Sequence, residues 1–262
     1  MLSFAGIVPH SPLLIPNIGK EKTKKMSGTA EALKRLEQEL YLVNPETIVI
    51  ISPHAATLPD AFQINLSATY RLDFKEFGDF QTSRSYASDF LLIDHVQRSI
   101  RKNSQLVLSS QEAVDYGTGI PLFFLTEHLP KITVVPVITS KLDLKAHYVF
   151  GKELKEEIMD SNKRVAVFAS ADLAHTLSKD APAGFAQEGA EFDRTVQELL
   201  STKNSSGVIG LDSKLCDKAQ SCGIQPIATL LGVLDGVQYE PKIYSYEAPF
   251  GIGHLVANLV LS

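Results

Sequence analysis

The stretch Glu46-Thr-Ile-Val-Ile-Ile-Ser-Pro-His-Ala55 limits this chain more than any other. Ile48 to Ser52 is a short apolar run dense in β-branched side chains, the pattern of a strand buried on both faces of a sheet. Pro53 has no N–H for the ladder, so the strand stops there. His54 then hangs just past the carboxyl end of a central strand, the edge at which open α/β sheets bind ligands. Two other places repeat the layout. Phe4-Ala-Gly-Ile-Val8 runs into Pro9 and His10, and Arg164 to Ser170 is followed by Ala171-Asp172-Leu173-Ala174-His175. Three histidines that each follow an expected strand point to a common rim.

Composition narrows the class. A chain of 262 residues that is 44% hydrophobic can bury a large core. A net charge of −5 argues against nucleic acid, which asks for a basic patch. No apolar run approaches the roughly 20 residues that span a bilayer, and the start lacks the pattern of a signal peptide. Cys216 and Cys222 form neither a disulfide framework nor a CxxC site, so the expected compartment is the cytoplasm.

The rest of the chain alternates. Glu21 to Leu42 reads as a long amphipathic helix, with Leu33, Leu36 and Leu40 on its apolar side. Ala61 to Ser67 alternates like a half-exposed strand, whereas Thr69 to Thr82 shows no clear period. Helices are expected over 89–102, 144–159, 186–200, 213–220 and 225–234, and short strands over 105–108 and 132–138. Pro136 demotes the last of these to an edge or a bulge. Tyr244 and Tyr246 mark a closing strand whose hairpin partner is 250–260. The expectation is an α/β fold over 1–262 as one domain, its central sheet mostly parallel but mixed, with helices on both faces.

His10 and His54 are suited to bind a metal, since neutral imidazole is the commonest nitrogen ligand. Two histidines and one carboxylate on one face leave positions open and suit non-heme Fe(II) handling dioxygen. With zinc and one water the same set suits hydrolysis. Glu247 is the expected carboxylate, because it interrupts an aromatic and apolar strand where an unpaired charge is costly. His95, His128 and His147 fall in helical stretches as surface or partly buried residues. His254 reads as structural, and Cys216 and Cys222 as helix packing.

Four motifs now carry a resemblance: Val8-Pro-His-Ser-Pro12, Ser52-Pro-His-Ala55, Ser170-Ala-Asp-Leu-Ala-His175 and Tyr246-Glu-Ala-Pro-Phe-Gly-Ile-Gly253. In this order they resemble the class III (LigB-type) extradiol ring-cleavage dioxygenases over essentially the whole chain. Within that superfamily the chain looks closest to the branch related to Memo proteins and to the domain found beside AMMECR1 domains. The resemblance implies a LigB-like fold and Fe(II), with Zn(II) as the alternative, held by His10, His54 and Glu247. It also implies His175 as acid–base catalyst, a small aromatic substrate with dioxygen, and a homo-oligomer. One departure is Tyr116 in Asp115-Tyr-Gly-Thr118, where the ring-cleaving enzymes carry histidine. Tyrosine still donates a hydrogen bond but is a poor proton shuttle at neutrality. That departure keeps two alternatives open. One is a non-catalytic Memo-like protein that works through partners, an AMMECR1-type partner among them; the other is a zinc-dependent hydrolase.

Overall fold

A computed structural model describes residues 1–262. In chain order the elements are β1 (Leu2–Val8), α1 (Pro16–Gly19), α2 (Ser27–Val43), β2 (Thr47–Ser52), β3 (Phe62–Asn65), β4 (Thr69–Phe74) and β5 (Asp79–Ser88). Then come α3 (Phe90–Ile100), β6 (Leu106–Ser109), α4 (Tyr116–Leu125), β7 (Thr133–Ile138), α5 (Leu144–Asp160) and β8 (Val165–Ser170). The last are α6 (Gln187–Ser201), α7 (Ser205–Ile209), α8 (Ser213–Ala219), α9 (Ile224–Val233), β9 (Tyr239–Glu247) and β10 (His254–Leu261). One mixed sheet runs in the order β4-β5-β7-β2-β8-β1-β10-β9, and β3 joins β6 to β7 beside it. The fold is of the expected α/β class, a mostly parallel but mixed sheet between helices.

The centre is parallel. β2 pairs with β7 and β8, and β8 pairs with β1. Every residue of β2 and β8 is buried, as a sheet covered on both faces requires. Because side chains alternate along a strand, Ile48 and Ile50 join one core with α2 and α4, while Val49 and Ile51 join the other with α3, α5 and α9. β10 and β9 close one side as an antiparallel pair beside β1.

Several expectations change. The long first helix is shorter: α2 begins at Ser27, and Lys20–Met26 winds as a 3-10 turn instead. The stretch without a period, Thr69 to Thr82, is an antiparallel β4–β5 hairpin whose turn ends at Gly78 in the left-handed region. Pro136 does not lie on an edge: it sits in β7, opposite Ile50 of β2. It is tolerated because the other side of β7 has a gap. β5 pairs only as far as Val134, and β3 takes over at Val137, so no partner misses the proline's N–H. His147 is also fully buried, donating from Nδ1 to the Asp143 carbonyl at 2.8 Å.

Two features hold the layers that carry the rim. α5 and α9 cross at Gly151 and Gly232, where a methyl group on either would overlap backbone carbonyls, of Thr229 and Tyr148 respectively. Behind the segment after β8, Asp193 accepts from the Ala174 N–H at 2.8 Å and from the Tyr246 hydroxyl at 2.6 Å. Burial pushes the Asp193 carboxyl up to about 6, against the pull of those two donors.

Gly151→Ala should lower the free energy of unfolding by ~2 kcal/mol or more, since the overlap is with backbone that cannot swing aside; a urea midpoint measures it. Asp193 predicts a pH effect of definite sign. Between its unfolded value near ~3.9 and about 6, the native state holds a proton that the unfolded chain has lost. Its contribution therefore falls as pH rises through that window. Relative to the parent, Asp193→Asn should gain ~2 kcal/mol on going from pH ~4 to ~7, read from unfolding curves at both pH values.

Candidate metal centre

β1, β8 and β2 run parallel in one register, with Val8 opposite Ser170 and Ile51 opposite Ala169. Their carboxyl ends therefore open at one edge. Prolines at 9 and 53 end the outer two strands, so His10 and His54 turn over that edge side by side. Their Nε2 atoms lie 2.8 Å apart, with the rings edge to face. Two of the histidines expected on a common rim are thus in contact.

The third donor is Cys222. Its Sγ lies 3.3 Å from His10 Nε2, and ligand atoms of His10, His54 and Cys222 all fall within 4.8 Å of one another. Cys222 belongs to neither helix: α8 ends at Ala219 and α9 starts at Ile224. The loop between them is pinned to the segment after β8, because Ser221 Oγ and Cys222 Sγ both reach the Asp172 carbonyl, at 3.2 and 3.7 Å. The sequence held one signal for this placement, the turn-forming run Ser221-Cys222-Gly223 between two helical periods.

Glu247, expected as the carboxylate ligand, is not in this group. It ends β9, and its Oε1 accepts the Thr29 N–H at 2.7 Å, while its Oε2 lies against Gly28, where a methyl group would stand 2.9 Å away. The charge that looked costly in an aromatic strand is compensated by the Thr29 N–H in the first turn of α2.

Hydrogen bonds fix which nitrogen His10 presents. Ser170 Oγ donates to the Gly117 carbonyl and therefore accepts from His10 Nδ1, at 2.9 Å. The proton is thereby held on Nδ1, and the lone pair of Nε2 faces His54 and Cys222. Burial lowers the His10 imidazole to about 4 despite the attraction of Asp172, so the ring is neutral at neutral pH. Burial lowers His54 as well and drives the Cys222 thiol up. Two neutral imidazoles whose nitrogens converge on a protonated thiol form a donor set that fits a divalent or soft cation. Sulfur takes the place that the carboxylate was expected to fill.

Asp172 organises the surroundings. Its Oδ1 accepts the His10 backbone N–H at 3.3 Å and His254 Nδ1 at 3.0 Å, and its Oδ2 lies 3.5 Å from His10 Nε2. Burial alone would raise this carboxyl, but His10 and His254 beside it hold it well below the usual range. His254 is thus a buried partner of the site's aspartate.

His175 lies in the same rim segment, and its Nδ1 is buried without a hydrogen-bond partner. Tyr116 opens α4 and stacks on His54, with ring centroids 4.4 Å apart and its hydroxyl 3.0 Å from His54 Nδ1. Burial, with the negative groups nearby, pushes its phenol up, so it acts as a donor. Asp115 caps α4 and contacts no histidine. Its Oδ1 takes Ser52 Oγ at 2.5 Å and the Thr118 N–H at 3.1 Å, and its Oδ2 takes Thr118 Oγ1 at 2.8 Å.

Comparison with known proteins agrees with this architecture. The crystal structure of the uncharacterized protein JW3007 from Escherichia coli K12 superposes with a TM-score of 0.67 over 98% of this chain and 99% of that one, at 16% identity. Protein CA_C1420 of Clostridium acetobutylicum is 26% identical over 263 residues, covering 97% of this chain and 56% of the relative. The chain therefore spans little more than half the length of that relative. Residues 5–257 match the family described as the catalytic LigB subunit of aromatic ring-opening dioxygenase, and the chain belongs to that family.

Proposed function

We propose that this chain is a metal-dependent oxidoreductase of the dioxygenase type. Its ion would be held by His10 Nε2, His54 Nε2 and Cys222 Sγ, and its substrate would be a catechol-like aromatic consumed with dioxygen. One observation carries the reading: two imidazole nitrogens and a thiol from three distant segments converge at the carboxyl edge of the sheet. Family membership supplies the reaction class.

The ion, when bound, supplies Lewis acidity and redox capacity. The protein supplies the rest. Ser170 keeps the His10 proton on Nδ1, so Nε2 is ready as a ligand. Cys222 gives up its proton as the ion enters, and the Asp172 carboxylate beside it keeps the pocket's charge fixed. His175, with a free buried Nδ1, takes the proton of a substrate hydroxyl. Tyr116 walls the pocket and offers one hydrogen bond. Residues 1–262 act as one domain in the cytoplasm, as an oligomer.

Fe(II) is the ion that ring opening asks for. A thiolate in the set favours softer ions, zinc or copper, more than a carboxylate does. That substitution, together with Tyr116, favours a second reading: a Memo-like protein that keeps the ion and works with a partner of the AMMECR1 type. The greater length of the Clostridium relative leaves room for such a partner within one chain. A zinc-dependent hydrolase would use the same donors with one water.

Elemental analysis of protein purified without added metal should find about one ion per chain. His10→Ala and Cys222→Ala should each weaken binding at least tenfold, while Glu247→Gln keeps it. Loaded anaerobically with Fe(II), the protein should take up oxygen with at least one catechol, and His175→Ala should abolish uptake with the iron retained. Iron-loaded protein that takes up no oxygen across a broad catechol panel ends the oxygenase reading. If, in addition, protein purified without added metal holds tight zinc or copper, the partner and hydrolase readings stand.

A further inference from the structure

Next to the donor cluster the sheet forks. β7 exchanges its neighbour β5 for β3 at Pro136, and a cleft of about 480 Å³ opens at that fork. Its walls begin at Ala55, one residue beyond His54, and at Asp115, one residue before Tyr116. A crevice at the carboxyl edge where strand neighbours change is the usual ligand position in sheets of this kind.

The width of the cleft is set by two buried amides on β3. Gln63 donates to the Ala56 carbonyl, holding the loop that follows His54. Asn65 clamps the opposite loop at two points, donating to the Gln111 carbonyl at 2.7 Å and accepting the Gln111 N–H at 2.8 Å. From its far side that loop is tied to β4, with Arg71 N–H to Glu112 O at 2.6 Å and Val114 N–H to Arg71 O at 3.1 Å. Both loops that bracket His54 and Tyr116 are therefore fixed before any ligand arrives.

Lysine, arginine and histidine are absent from the lining. Asp115 is its one ionisable group, and both of its oxygens are engaged by Ser52 and Thr118. Ser109 and Gln111 also line the cleft, and Gln111 meets Asn65 through its backbone, which leaves its side-chain amide for a ligand. A carboxylate entering here would lose water and meet no cation, a costly exchange. A neutral amide or alcohol would find both a donor and an acceptor.

We infer that this cleft receives the part of the substrate remote from its reacting hydroxyls, and that this part bears an uncharged hydrogen-bonding group such as a carboxamide or an alcohol. The inference rests on the catechol-like reading above.

Three matched catechols, bearing a carboxamide, a carboxylate or an aminomethyl group, test it by calorimetric titration of the full chain as purified. The carboxamide should bind at least tenfold more tightly than either charged analogue. Ala113→Trp, which fills the cleft from an exposed loop, should cost at least tenfold in that affinity with metal content unchanged. Gln111→Arg should reverse the order in favour of the carboxylate. The assignment is overturned if a charged analogue binds as tightly as the carboxamide, if none of the three binds, or if folded Ala113→Trp protein keeps the parent affinity. Oxygen uptake separates the two levels. Carboxamide preference without uptake sinks the proposed reaction and leaves the cleft, whereas uptake with equal use of the carboxylate does the reverse.

Discussion

The parallel ladder joining β1, β8 and β2 is the constraint on which the rest depends. Its register puts Val8 beside Ser170, so the strands release their chains at one level. Backbone hydrogen bonds within a buried ladder are costly to break, because each freed group would remain unpaired. The loops beyond the edge thus start from fixed points, and residues 10, 54 and 172 can meet although more than a hundred positions separate the first from the last. Asp172 then gathers what the ladder has brought near. Its carboxylate holds the His10 backbone and His254, and its carbonyl holds the loop of Cys222.

Much of this architecture was readable from the residues. Short apolar runs ending at Pro9 and Pro53 identified strands and placed two histidines on one rim. What stayed hidden depended on contacts far apart in sequence. Cys222 falls in the short turn between two expected helices, where nothing local distinguishes a packing cysteine from a ligand; only its neighbours in space, His10 and the Asp172 carbonyl, remove it from helix packing. Pro136 argued for an edge strand on sound local grounds. Nothing local reveals that β5 and β3 divide the outer side of β7 between them.

Glu247 shows how a correct premise led to the wrong partner. A carboxylate in an aromatic strand does need compensation, and a cation was the partner expected from the motif. The structure supplies the Thr29 N–H of α2 instead, with Gly28 leaving the space. Both solutions meet the same electrostatic demand, and sequence alone does not choose between them. The choice changes the chemistry, because moving the acid to a helix end leaves the third donor position to sulfur. Two imidazoles with a thiolate make a softer set than two imidazoles with a carboxylate, and the thiol must first shed a proton that burial holds in place. On the proposed reading, ion uptake would be tied to proton release from Cys222 more than from the histidines.

The same ladder also divides the labour within the pocket. On the β1–β8 side the groups are charged or ionisable and tightly cross-linked: His10, Asp172, His254 and Cys222 leave little room. On the β7 side the strand exchange at Pro136 leaves a cleft, and there the polar groups are amides and hydroxyls. His54 and Tyr116 stack on one another, and the cleft begins one residue away from each, at Ala55 and Asp115. On the proposed reading, the reacting and the recognised atoms of a ligand would meet different surroundings. Sequence change on the loops at 55–56 and 111–114 would then alter recognition without touching the ladder that fixes the donors.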